Sequence, residues 1–305
     1  MDPEAAQTQQ RRAAVGRTLL SALHRAVTVA DGSIASITTA TERREGVRAA
    51  RRELKAVRAI APLCRTGAND STIDGVLEFA AKANQLLGPL RDRDALTRSI
   101  HRLSDRFAEG EARRVVRTVL LATLIFGESD RRDDAAFAGA ALDRARRSLK
   151  QTRAAATALV EDAGFDAGHA AALLARSHRA CMEELDAALR SGDLARLHEC
   201  RKRASFIALA CAPFEDEVPA AVRRLRGRAR RLASALGEDR DLALLDVEMR
   251  VARTQLAGSP LAAAIDDALR LARIEARARV EDAARDFLRL GRGRVKRAIA
   301  ELLAA

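Results

Sequence analysis

A pattern of apolar and basic residues between positions 44 and 61 recurs 150 positions further along the chain. In the first copy the apolar residues stand three or four positions apart, at Val47, Ala50, Leu54, Val57 and Ala61. The matching positions of the second copy hold Leu197, Cys200, Ala204, Ile207 and Cys211. This spacing predicts an amphipathic α-helix in each copy. The repetition predicts that the chain contains two related halves.

A row of cations lies beside the apolar stripe of the first predicted helix. At about 100° per residue these cations share one face, and they are Arg44, Arg48, Arg51, Arg52, Lys55 and Arg58. The apolar stripe is centred roughly 120° away, so a neighbouring helix can enclose the cations in a groove. Like charges at these spacings repel by a few tenths of a kcal/mol per pair. We interpret the row as a site for an anion that offsets this repulsion, and a solvated surface face is the alternative.

The second half repeats the cationic positions in a shorter form. His198, Arg201 and Lys202 stand 150 positions after Arg48, Arg51 and Arg52. This repetition favours a binding role for both rows over a chance cluster of charge.

A second element also occurs twice, with an offset of 149. The stretch from Leu87 to Asp92 contains Leu-Gly-Pro-Leu-Arg-Asp, and the stretch from Leu236 to Asp241 contains Leu-Gly-Glu-Asp-Arg-Asp. We predict that Gly88-Pro89 interrupts a helix and that Arg91-Asp92-Arg93-Asp94 begins a new helical stretch, whose N-terminus favours an anion near Arg91. By the same pattern Arg240 joins the site, and Asp92 and Asp241 orient cations or cap helices. Weaker candidates for the site are Lys82, Arg228 and Arg231.

Taken together, these elements resemble the CHAD domain, the conserved histidine α-helical domain, over roughly residues 12 to 300. Arg48 stands where the family usually has its first histidine, Ser205 where a lysine is expected, and Arg240 where histidine is frequent. The resemblance implies an all-helical, pseudo-twofold protein that binds inorganic polyphosphate. Two of the three departures keep or add positive charge, so they affect histidine-specific chemistry more than anion binding.

The expected architecture is all-α, with two pseudo-twofold-related antiparallel helical bundles that form one domain around a central basic groove. We expect a flexible N-terminus over 1–11 and a domain over 12–305, with halves at 12–163 and 167–305. The predicted helices are 13–39, loosened at 31–33; 43–61; 72–106, interrupted at 88–89; 111–126; 133–163; 168–190; 193–212; 217–256, broken near Gly237; and 258–303.

Composition limits the class of partner. The chain has 305 residues, a formal net charge of +12 and a pI near 10.8, which favours nucleic acid, polyphosphate or an anionic membrane. It has eight phenylalanines and neither Tyr nor Trp, whereas single-strand recognition normally uses aromatic stacking. Non-specific nucleic-acid binding is therefore the second interpretation, and a scaffold for acidic partners or for polyphosphate granules is the third.

The longest apolar run, from Val119 to Phe126, is too short to span a bilayer, and the first ten residues do not resemble a targeting signal. We expect a soluble, cytoplasmic protein with four reduced, buried cysteines. No Walker A, Gly-rich phosphate loop or G-x-S-x-G motif occurs, and the basic rows contain no carboxylates to hold a metal. The sequence predicts binding without catalysis, with no catalytic residue, metal or cofactor.

Overall fold

The computed structural model describes residues 3–107, 111–126, 134–161, 165–214 and 220–304. These residues form helices and no β-strand, so the all-α prediction is confirmed. The helices are α1 (Pro3–Ala35), α2 (Ala40–Ile60), α3 (Asp70–Leu86), α4 (Gly88–Ser104), α5 (Glu111–Phe126), α6 (Asp134–Glu161), α7 (Ala167–Ser191), α8 (Leu194–Ala210), α9 (Ala220–Gln255), α10 (Pro260–Leu288) and α11 (Arg292–Ala304). Short 3-10 turns follow α2 at Ala61–Cys64 and α8 at Ala212–Phe214.

The first basic helix, α2, has a complete N-terminal cap. Thr39 accepts a hydrogen bond from the Glu42 backbone N–H at 3.2 Å, and the Glu42 carboxylate accepts one from the Thr39 backbone N–H at 2.8 Å. Hydrogen bonds from the side chain and backbone of Thr38, then from Thr39, lower the pKa of Glu42 to about 2. This reciprocal capping box fixes where α2 begins, and the turn that contains Pro62 ends it.

The break at Gly88-Pro89 is confirmed, since α3 ends at Leu86 and α4 begins at Gly88. Proline suits the first turn of a helix, where its missing N–H has no partner to lose.

Three other expected boundaries were wrong. The first helix is not loosened at 31–33 but continues through Gly32 to Ala35, because Ala30 and Ile34 on either side are fully buried. The helix α9 is not broken near Gly237. Glycine costs about 1 kcal/mol inside a helix, and burial of Leu236 and Leu242 offsets that cost. The expected helix 258–303 is instead two helices, α10 and α11, separated around Gly291. In addition, α1 starts at Pro3, ten residues before the predicted start at 13. The expected flexibility of residues 1–11 stays a prediction.

The buried apolar side chains form two clusters. The larger one is built by α1, α2, α3, α6, α7, α8 and α11, together with the first half of α9 and the end of α10. The smaller one joins the second half of α4 and α5 to the second half of α9 and the first half of α10. Leu236 of α9 belongs to the larger cluster and Leu242 to the smaller, so Arg240 lies between the two cores.

The four helices that carry the repeated motifs form a closed ring. Helix α2 packs against α8, α8 against α9, α9 against α4, and α4 against α2. Equivalent pairs of helices also pack in the two halves. The contact between α1 and α2 corresponds to that between α7 and α8, and the contact between α2 and α3 corresponds to that between α8 and α9. These are the contacts that a duplication predicts, and the pseudo-twofold symmetry itself stays a prediction.

The four cysteines are free and buried. Burial raises the pKa of Cys64, Cys181 and Cys211 to about 12 and that of Cys200 to about 11, which makes these thiols poor nucleophiles. In the described part of the chain, no helix combines the length and the apolar character that crossing a bilayer requires.

Candidate functional site

The cationic row of α2 lies on the surface with one inner member. Arg51 is half-buried, whereas the other five cations are exposed, at Arg44, Arg48, Arg52, Lys55 and Arg58. The apolar stripe beside them is buried, with Val47, Leu54 and Val57 almost fully covered. The row therefore flanks the packed face of α2, as the spacing predicts.

Arg51 connects α2 to the junction between α3 and α4. Its guanidinium donates a hydrogen bond to the backbone carbonyl of Asn84, in the last turn of α3. The same guanidinium is 3.7 Å from where a Cβ would stand on Gly88, the first residue of α4. Carbonyls at a helix C-terminus attract cations, so this contact holds Arg51 in place and joins three elements of the site.

The second cationic row has the same arrangement on α8. His198 and Arg201 are half-buried and Lys202 is exposed, while Leu197, Cys200 and Ala204 of the apolar stripe are buried. Asp193 caps this helix by accepting hydrogen bonds from the backbone N–H groups of Ala195 and Arg196. The inner cations of the two rows, Arg51 and Arg201, are 150 positions apart in the sequence.

The ring contacts bring a cation of α9 to the row of α8. The pKa of His198 is lowered, first by partial burial of the ring and then by the positive charges of Arg201, Lys202 and Arg240. Glu199 opposes this shift. Arg240 is separated from His198 by 42 positions in the sequence, so their electrostatic interaction is a tertiary one. Three cations therefore act on this imidazole at once.

Two carboxylates pair with cations of the rows. Arg52 pairs with its neighbour Glu53 at 2.8 Å, and Lys202 pairs with Glu199, one turn before it, at 2.7 Å. Both pairs involve at least one exposed partner and are therefore weak in water. These two carboxylates therefore neutralise part of the charge of the rows without fixing it strongly.

The weaker candidates lie in different surroundings. Lys82 is exposed on α3. Arg228 and Arg231 of α9 both pair with Asp286 of α10, at 2.9 Å for Arg228. These two arginines thus hold α9 and α10 together, whatever further role they have.

The structure describes the side chains of only one copy of the Arg-Asp pair in the second repeated element. Arg91 and Asp92 belong to the first turns of α4, and their side chains lie outside the described residues. Asp241 lies inside the continuous helix α9, so its expected capping role was wrong, and a role in orienting cations stays a prediction. The two elements therefore differ, because one starts a helix and the other is in the middle of one.

Two contributions to the site were missed from the sequence. The carbonyl of Asn84 positions Arg51, and no local pattern reveals a backbone acceptor on another helix. Glu238, within the second repeated element, pairs with Arg102 of α4 at 3.8 Å and with Arg279 of α10 at 3.0 Å. This pairing ties α4 to α9 close to Arg240.

Comparison with curated proteins and with solved structures gives no match. The sequence model of the CHAD domain matches residues 19–250. These residues contain α2, α4 and α8 in full and α9 as far as residue 250, whereas α10 and α11 lie beyond them. The match covers more than half of the chain and includes both cationic rows, and the chain therefore belongs to the CHAD domain family.

Proposed function

We propose that this chain binds inorganic polyphosphate, without turning it over, in a groove between the four helices of the ring. The observation that carries the proposal is the ring of contacts between α2, α8, α9 and α4, which brings the helices with the cationic residues together. The lowered pKa of His198, caused first by burial and then by Arg201, Lys202 and Arg240, agrees with it. Membership of the CHAD family agrees with a polyphosphate-related function.

The chemistry of the rows suits a flexible chain of phosphates. Guanidinium groups form paired hydrogen bonds to phosphate oxygens, and lysines act as point charges. In the proposed groove α2 provides one wall, with Arg44, Arg48, Arg51, Arg52, Lys55 and Arg58. The other wall is His198, Arg201 and Lys202 of α8, with Arg91 and Arg240 at the ends. Lys82, Arg228 and Arg231 are outer candidates.

The pairing of two carboxylates beside the cationic rows supports binding without turnover. Phosphoryl transfer generally needs carboxylates that hold a metal ion, whereas Glu53 and Glu199 pair with Arg52 and Lys202. We expect long-chain polyphosphate, incubated with the protein and Mg²⁺ or Mn²⁺, to keep its length on a gel. Progressive shortening that depends on the protein would contradict this part of the proposal.

A titration with polyphosphate of defined length, repeated at several salt concentrations, tests the site. Arg48 is exposed, and among the described residues it has no ion pair to lose. We expect Arg48→Glu to lower the affinity by roughly tenfold and to reduce the dependence on salt, because fewer counterions are released. Arg144→Glu is the matched control, since Arg144 is also exposed and lies on α6, which packs against α1 and α3. Equal effects of the two variants would show non-specific attraction to a basic protein.

Nucleic acid is the competing ligand. It offers the same phosphates, but the chain has few aromatic side chains on which bases can stack. We expect duplex DNA, at equal phosphate concentration, to leave bound long-chain polyphosphate in place. Displacement of polyphosphate by DNA would make nucleic acid the preferred ligand. Imaging of a tagged copy under phosphate-rich growth tests the further proposal that the protein associates with polyphosphate granules.

A further inference from the structure

One face of the molecule collects most of the exposed large apolar side chains that the structure describes. In the described residues these side chains are Val29, Leu194, Val247, Leu271 and Ile274, with exposed fractions from 41% to 61%. Leu194 and Ile274 both line one cavity of about 680 Å³ between α8, α9 and α10. On α9, Val247 stands four positions after Ala243 of the cavity wall, and on α10, Leu271 stands three positions before Ile274, so each lies beside a wall residue on its helix. We call this surface the α10 face, and Val29 on α1 is the one of the five that lies elsewhere.

The charged residues of the α10 face balance each other. Three aspartates and three arginines line the cavity, at Asp239, Asp246, Asp266, Arg270, Arg273 and Arg277. Arg273 pairs with Asp246 at 2.5 Å, and Arg277 with Asp239 at 3.7 Å. The face is thus locally neutral on a chain with a formal net charge of +12. Its aspartates disfavour a polyanion, and its arginines disfavour a polycation.

Contiguous apolar side chains on a surface usually mark an interaction site. The occupant that fits must carry apolar side chains together with charges of both signs. A second copy of the same face provides both, because a two-fold contact places the same patch opposite itself, and the patch must then be complementary to itself. We propose that the α10 face is the interface of a symmetric dimer of this chain.

The dimer and the groove should respond to salt in opposite ways. Two copies with a net charge of +12 repel each other at long range, and salt screens this repulsion over a Debye length of about 10 Å at 0.1 M. Salt should therefore promote the dimer, whereas it weakens binding of a polyanion in the groove. The dimer does not depend on the proposed function, so each proposal can fail without the other.

Sedimentation equilibrium over a range of protein and salt concentrations tests the interface. The chain mass is 33.0 kDa, and we expect the mass of the parent to approach twice that value as protein and salt increase. Ile274→Asp should raise the dissociation constant of the dimer by roughly tenfold or more, because it buries a charge in the contact. Val29→Asp is the matched control, since it makes the same kind of change at the exposed apolar residue outside the face, and it should leave the dimer intact.

The far-UV circular dichroism of each variant verifies its fold, and Leu271→Asp replaces Ile274→Asp if that variant does not fold. If the parent stays at 33.0 kDa under all conditions, the proposal is overturned. This holds even if a different protein is found to bind the α10 face. Equal loss of the dimer in the α10 face variant and in Val29→Asp overturns it as well.

Discussion

Arg240 of α9 lies near enough to His198 of α8 for its positive charge to lower the pKa of the imidazole. Partial burial of the ring is the larger cause, and Arg201 and Lys202 on the same helix add to it. The packing of α8 against α9 creates this interaction. The proton affinity of His198 therefore depends on the packing of α8 against α9 as well as on its own helix.

The binding of polyphosphate should be linked to protonation of His198. In the free protein the pKa of His198 is below its usual 6.5, and a bound anion favours the charged imidazole and so raises the pKa. Affinity should therefore rise as pH falls from about 7.5 to about 5.5, with proton uptake on binding. Calorimetry in two buffers of different ionisation enthalpy measures that uptake.

The matched variant is His198→Gln, which keeps a polar side chain but cannot take up a proton. It should bind more weakly than the parent at low pH, and its affinity should change little over the same range. An unchanged proton uptake in His198→Gln would place the titrating group elsewhere.

Arg51 should contribute to stability as well as to binding. Lysine at this position keeps the charge but loses the fixed guanidinium that donates to the Asn84 carbonyl. We expect Arg51→Lys to lower the free energy of unfolding by about 1 kcal/mol, measured by urea denaturation, while the salt dependence of polyphosphate binding is kept. Arg48→Lys, at the exposed position one turn earlier, should leave stability unchanged. Equal stability of the two variants would mean that the carbonyl contact does not hold the junction.

Asp286 offers a test of the outer candidates. Its carboxylate pairs with both Arg228 and Arg231, and it therefore competes with any phosphate that approaches them. We expect Asp286→Asn to strengthen polyphosphate binding by a few fold and to lower stability by up to about 1 kcal/mol, since the pairs are partly exposed. An affinity equal to that of the parent would assign Arg228 and Arg231 to the contact between α9 and α10 alone.

His178 should make the fold sensitive to acid. The side chain is buried on α7, with its ring centroid 5.3 Å from that of Phe287. Burial, with a smaller effect of Arg292, lowers its pKa to about 4. In the unfolded chain the pKa is near 6.5, so the unfolded state binds more protons between these values. The contribution of the neutral His178 ring to the free energy of unfolding should be fully present above about pH 6.5 and should be lost as the pH decreases towards 4.

Urea denaturation of the parent and of His178→Leu at several pH values tests this expectation. The variant removes a buried ring nitrogen for which the described residues provide no hydrogen-bond partner, and it should lose less stability than the parent over that interval. Over the whole interval, the parent should lose on the order of 3 kcal/mol more of its free energy of unfolding than the variant. If the two proteins lose stability in parallel, another group is responsible.

The local elements of the fold were readable because a helix is specified by residues three and four positions apart. Val47, Leu54 and Val57 identified the buried face of α2, and Gly88-Pro89 identified the break between α3 and α4. The same local rules failed at Gly32 and Gly237, where packing of the neighbouring residues outweighs the low helix propensity of glycine. They also failed near Gly291, where the end of α10 was not recognised.

The sequence by itself determined that this chain is helical, that its basic and apolar residues form adjacent stripes, and that this pattern occurs twice, because helical periodicity is a local property. Only the tertiary structure decided that Arg240 acts on His198, that Arg51 reaches the Asn84 carbonyl, and that Asp286 holds Arg228 and Arg231. These partners are 33 to 58 positions apart in the sequence. Which helices meet depends on how buried faces fit together across the whole chain, and no local pattern of residues contains that information.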